Sequence, residues 1–150
     1  MQDYPHIYKA GAGGGPGGEV TVTSPRISAF PSTSPPEFGG PEGNWSPETL
    51  LVASVADCFV LTFRAVARAS RFDWHELQCE AEGKLQKVER QLRFTDFYLR
   101  ARLKVPAGAR IELAEKLLQK AEAGCLITNS LSAELHLETR IEQAPDQRVA

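Results

Sequence analysis

The segment LLVASVADCFVLTF, residues 50–63, constrains this chain more than any other, because it is apolar nearly all round and broken only by Ser54, Asp57, Cys58 and Thr62. It falls short of the roughly 20 residues a membrane span needs, so it reads as a buried helix. Ser46-Pro47-Glu48 supplies the start: a serine to cap free N–H groups, proline at the first helical position, and an acid near the positive helix end. The helix is expected to run to about Ala69, with Asp57, Arg64, Arg68 and Arg71 as a narrow polar stripe. A helix of this kind must be covered on several faces.

The elements around it follow from period and punctuation. Of twelve Gly and ten Pro, nine and eight lie in the first 50 residues, which makes that third turn-rich. Residues 6–10 and 19–23 are expected as short strands joined by a long flexible glycine tip, residues 11–18, and residues 26–30 as a third strand. PSTSPPEFGGPEGN, residues 31–44, reads as loop. Leu77, Cys79, Ala81, Gly83 and Leu85 alternate with polar residues, as do Phe97, Leu99, Ala101, Leu103 and Val105, and then Ala133, Leu135, Leu137, Thr139 and Ile141. Each is the pattern of a half-buried strand. Ile111, Ala114, Leu117, Leu118 and Ala121 mark an amphipathic helix that Gly124 is expected to end. Helices and strands are segregated, which predicts an α+β fold with mainly antiparallel sheets packed on a long central helix and a second helix.

At 150 residues and 42% hydrophobic, the chain is expected to form one domain: a Gly/Pro-rich hairpin and loop over 1–45, a helix–strand core over 46–142, and a tail over 143–150. One sheet face and the all-round apolar helix leave a monomer short of covering surface, so a homodimer is expected. A formal charge of −2 gives no electrostatic footprint for nucleic acid or an anionic membrane. No basic region followed by an apolar stretch opens the chain, and a cytoplasmic protein is the expectation. Cys58, Cys79 and Cys125 are an odd number, which argues against a structural disulfide framework.

Taken singly, a cysteine in a buried helix or on the core face of a strand is an ordinary small hydrophobe, and Cys79, in register with Leu77 and Ala81, is read that way. His6, His75 and His136 are scattered and no C-x-x-C is present, so no metal site or cofactor is expected; His136 falls on a polar strand face, where a solvated ring is the ordinary reading. The glycine run at 13–18 fits G-x-G-x-x-G in form, yet a strand-like segment follows it instead of a helix. Arg64, Arg68 and Arg71 read as a solvated face.

Two stretches carry a more specific signal: WSPETLLVASVADCF, residues 45–59, and KAEAGCLITNSL, residues 120–131. Together they resemble the osmotically inducible protein C and organic hydroperoxide resistance (OsmC/Ohr) family, with the order of elements agreeing from about His6 to Ile141. The resemblance implies an intertwined homodimer of α+β fold that reduces organic hydroperoxides. It implies Cys58 as the peroxidatic thiol, Cys125 as the resolving thiol that forms a disulfide with it, and Glu48 as the acidic partner. It also implies an external dithiol as reductant, a small molecule or a lipoylated protein. The chemistry is coherent, since a peroxidatic cysteine must be a thiolate and its sulfenic acid is rescued by condensation with a second thiol. Glu48 and Cys58 are ten residues apart on one helix, about 15 Å of rise, so a partner subunit or an intermediary must link them if they share a site. The family's arginine, in or after the turn following the first strand, has no counterpart in KAGAGGGPGG, residues 9–18, and Leu126 stands where many relatives have proline. A different class of function shares these features: a dimeric OsmC-like stress-associated protein that binds an apolar small molecule with little turnover.

Overall fold

Pairing begins inside the glycine run. In the computed structural model, which describes residues 1–146, β1 (Gly11–Gly13), β2 (Val20–Ser24) and β3 (Ile27–Ser32) form an antiparallel sheet in that order. The strand expected at residues 6–10 is therefore displaced into the segment expected as a flexible tip. Gly11 pairs with Thr23 and Gly13 with Thr21, and the Thr23 and Ser24 hydroxyls donate to the carbonyls of Gly11 and Lys9 at 3.4 and 2.8 Å. Residues 31–44 are less irregular than expected: Ser32 completes β3 and Pro36–Phe38 form a 3-10 turn. Gly40 is required there, because a Cβ would lie 1.7 Å from the Ser34 carbonyl oxygen. These elements and the first turn of the long helix make up one compact unit, Met1–Leu51; a second begins at Val52.

The long helix, α1 (Pro47–Ala69), starts where its cap predicts. The Thr49 N–H donates to Ser46 Oγ at 3.1 Å and the Ser46 N–H to Thr49 Oγ1 at 2.9 Å, a reciprocal capping box with threonine in the usual Glu position. At 23 residues α1 is long and apolar enough, by length and composition, to cross a membrane, which corrects the expectation that the run falls short. Its fully buried stripe is Val55, Phe59, Phe63 and Ala67, one face at four-residue spacing. Beyond α1 the Phe72 N–H reaches back to the Ala67 carbonyl at 2.9 Å while Arg71 takes φ 51°, a Schellman-type end without its usual glycine.

The second unit's sheet contains β4 (Glu76–Val88), β5 (Gln91–Val105) and β6 (Glu134–Gln143), in that order. β4 and β5 are an antiparallel hairpin closed by Glu89 and Arg90, both at positive φ, 49° and 75°. β5 starts six residues before the expected Phe97: Leu92 and Phe94 alternate with Gln91, Arg93 and Thr95, but an irregularity opposite Lys84 and Leu85 puts them out of phase with Phe97. From Phe97 to Val105 every second residue is buried, as predicted. α2 (Ile111–Ala123) buries Ala114, Leu117, Leu118 and Ala121 and is joined to β6 by the Thr139 hydroxyl, which donates to Glu115. A short α3 (Leu126–Asn129), absent from the sequence reading, follows.

β6 runs parallel to β5, from Asp96 opposite Glu134 to Val105 opposite Gln143. The α+β class stands, but this sheet is mixed rather than mainly antiparallel. The physical reason is the crossover through α2 and α3, long enough to return the chain to the starting end of β5. Gln143, expected in the tail, belongs to β6, and the Ala144 N–H donates to the Val105 carbonyl at 2.9 Å. Residues 147–150 of the expected tail lie outside the described residues.

Candidate active site

Cys58 sits midway along α1 and is half-buried; Cys125 lies between α2 and α3 and is 1% exposed. Gly124, next to Cys125, faces α1 at Thr62. Its φ of −93° is not the left-handed value of a glycine cap. A Cβ there would crowd the Lys120 carbonyl oxygen at 3.3 Å and touch Thr62 Cγ2 at an ordinary 3.6 Å. Thr62 is one helical turn beyond Cys58, and its hydroxyl stands 3.8 Å from the Cys58 sulfur.

Cys125 and the first residues of α3 lie close enough to that sulfur to act on its ionisation. Burial opposes ionisation of Cys58, but the Ile127 N–H, the Cys125 thiol, the Thr62 hydroxyl and the Leu126 N–H outweigh it and hold this thiol below the ordinary cysteine value. Burial pushes Cys125 the other way, and a negative Cys58 beside it adds to the rise. The two thiols therefore differ, Cys58 ionising more readily than Cys125. Sequence reasoning missed Thr62, whose i+4 spacing from Cys58 is a usable signal, and the two N–H groups, which as backbone carry none.

Cys79 faces inward on β4 opposite Ala101. Burial, then the proximity of Cys125 and Glu80, pushes its thiol up to about 12, so it is a poor nucleophile at neutral pH. Glu48 lies in the first turn of α1, half-buried, with its Oε2 buried and without a hydrogen-bond partner.

His136 is not simply solvated. Its Nε2 lies 2.9 Å from Asp96 Oδ1 and its ring stacks on Tyr98 with centroids 4.6 Å apart. With Glu134 these side chains place ligand atoms within 4.8 Å of one another, a grouping the scattered histidines gave no reason to expect. It is the one set among the described residues with the donor types to hold a metal ion, although His136 and Asp96 already satisfy each other. On the same outer sheet face a cleft of about 250 Å³ carries Arg100, Arg102 and Arg140. Their guanidinium groups pair with Glu82, Glu138 and Glu142, which argues against an anion site.

The OsmC family model, described as OsmC-like protein, matches residues 39–140. Peroxiredoxin OsmC of Escherichia coli (strain K12) is 27% identical over 125 residues, 83% of this chain and 86% of that protein. Among solved structures, an OsmC-like protein of unknown function from Vibrio cholerae matches with TM-score 0.83 at 20% identity, covering 91% of this chain and 100% of that one. An organic hydroperoxide resistance protein OsmC from Legionella pneumophila matches with TM-score 0.73 at 25% identity, covering 93% and 99%.

Proposed function

Since the chain belongs to the OsmC-like family, we propose that it is a thiol-dependent peroxidase that reduces organic hydroperoxides to alcohols. The Cys58 thiolate attacks the terminal oxygen of the hydroperoxide, the O–O bond breaks, and the alkoxide leaves with a proton as alcohol. Sulfur is oxidised to sulfenic acid. The Cys125 thiol then attacks that sulfur, an S–S bond forms, and water is lost. An external dithiol, a small molecule or a lipoylated protein, restores both thiols by exchange.

The observation that carries this reading is the nearness of the two cysteines: Gly124, next to Cys125, packs against Thr62, whose hydroxyl stands 3.8 Å from the Cys58 sulfur, and each thiol acts on the ionisation of the other. The names of the E. coli and Legionella relatives agree with it. Glu48 is the acidic partner by the family resemblance, and its Oε2 is buried without a hydrogen-bond partner. The working form is a homodimer: α1 leaves Leu61 50% exposed in the single chain, and a second copy would cover that surface. The cytoplasm, where thiols are kept reduced, suits the cycle, which needs no cofactor, nucleic acid or membrane.

The test is to mix reduced protein with one equivalent of cumene hydroperoxide, quench within seconds and map the thiols by mass spectrometry. The expected product is a Cys58–Cys125 disulfide with Cys79 free. Cys58→Ser abolishes turnover, and Cys125→Ser leaves Cys58 as sulfenic or over-oxidised acid. Thiols that stay reduced for minutes would overturn the peroxidase. Saturable binding of an apolar small molecule by such a protein would instead identify it as the low-turnover binding member of its family.

A further inference from the structure

The side of α1 that its own chain leaves bare carries a pattern of charge. Asp57, Leu61, Arg64 and Arg68 are exposed and lie on the side opposite the buried stripe of Val55, Phe59, Phe63 and Ala67. Helical geometry places Asp57 about 6 Å before Leu61 along the axis and Arg64 about 4.5 Å after it, both turned to the same side of Leu61, by about 40° and about 60°. Asp57, Arg64 and Arg68 form no ion pair among the described residues. We infer that two copies of the chain pack α1 against α1 antiparallel about a two-fold axis at Leu61, and that Asp57 of each copy pairs with Arg64 of the partner subunit. The inference rests on the homodimer reading, to which it gives a register, and is independent of the peroxidase chemistry.

A two-fold axis at Leu61 reverses the second helix, so the partner's Arg64 stands about 4.5 Å before Leu61 where Asp57 stands about 6 Å before it, on the same side. The opposite charges thus meet at one level, and symmetry repeats the pair on the other half of the interface. This is the self-complementarity that an isologous contact demands, in which residue i meets j and j meets i. Parallel packing would instead set Asp57 on Asp57 and Arg64 on Arg64. The same register relieves a conflict within the chain: Arg64 and Arg68 are like charges one turn apart with Val60 and Leu61, not an acid, on the turn before them. Asp57 of the partner subunit would fall between their two levels. Beside Leu61, the exposed Ala65 leaves room for a second helix to approach. Only four residues of α1 are buried, so the helix retains apolar surface for such a contact.

The test is a charge exchange followed by sedimentation and native mass spectrometry at low salt, with circular dichroism to confirm folding. Asp57→Arg and Arg64→Asp each set like charges opposite one another twice per dimer, and each should weaken the homodimer at least about tenfold. The double variant Asp57→Arg, Arg64→Asp should recover most of that loss. Mixing equal amounts of the two single variants should give the heterodimer in preference to either homodimer, since both of its contacts are then of opposite charge. Should a single exchange fail to fold, Asp57→Asn and Arg64→Gln keep the side-chain size, and their effects on dissociation should be non-additive. A parent dimer that tolerates both exchanges, weakened variants that do not rescue one another on mixing, or additive neutral variants would overturn the pairing and leave the homodimer standing. A monomeric parent would overturn both.

Discussion

His136 Nε2 and Asp96 Oδ1 stand 2.9 Å apart across two parallel strands, with the imidazole held against Tyr98 and the carboxylate held by the Thr95 hydroxyl at 2.7 Å. The Thr95 bond first, and the His136 bond second, keep the Asp96 carboxyl below its ordinary value of 3.8. A depressed carboxyl pKa contributes stability above the unfolded value and loses it as pH falls through the folded one. Urea midpoints taken from about pH 5 down to pH 2 should therefore fall less steeply for Asp96→Asn than for the parent. Identical acid slopes would show that this carboxyl does not couple to folding.

Gly83 on β4 lies close against α1 and β5. A Cβ there would meet Phe94 Cε1 and Val52 Cγ2, each at 2.8 Å. Gly83→Ala should destabilise the fold by about 1–3 kcal/mol through overpacking, with the secondary structure retained. Thermal and urea denaturation followed by circular dichroism would measure it, and an unchanged midpoint would mean that both side chains move aside freely.

The β4–β5 turn uses two residues that strain it. Glu89 and Arg90 both take positive φ, the geometry of a two-residue turn that favours Asn-Gly. The double substitution Glu89→Asn, Arg90→Gly should raise stability by about 1 kcal/mol, read as a higher urea midpoint at an unchanged slope. A lower midpoint would indicate that the present side chains stabilise the hairpin by more than their backbone strain costs.

Leu61 tests the proposed homodimer. It lies on α1 away from the buried stripe and is 50% exposed in the single chain. Leu61→Glu should leave each chain folded and shift the sedimenting species from dimer to monomer, because a charge in a covered apolar surface lacks a partner. A mutant that sediments like the parent would place the contact elsewhere.

The start of α1 was legible because Ser46, Pro47 and Glu48 each act locally, and the core of β5 because alternation is a local pattern. The direction of β6 was not, since Leu135, Leu137 and Ile141 alternate identically in parallel and antiparallel company. His136 could not be matched to Asp96 because nothing in sequence ties partners 40 residues apart. The candidate site divides in the same way. Cys58 and Cys125 drew attention by their chemistry and Thr62 is readable from its spacing, but a peptide N–H has no letter.

The parallel placement of β6 also sets an order of assembly. The β4–β5 hairpin closes through two residues, whereas bringing Glu134 beside Asp96 closes a loop of roughly 40, with the higher chain entropy that entails. During refolding, hydrogen-exchange protection should thus appear along the hairpin before it appears in β6. Until β6 docks, the outer backbone edge of β5 stays open to any other strand, which makes that interval the one in which this chain is most exposed to aggregation.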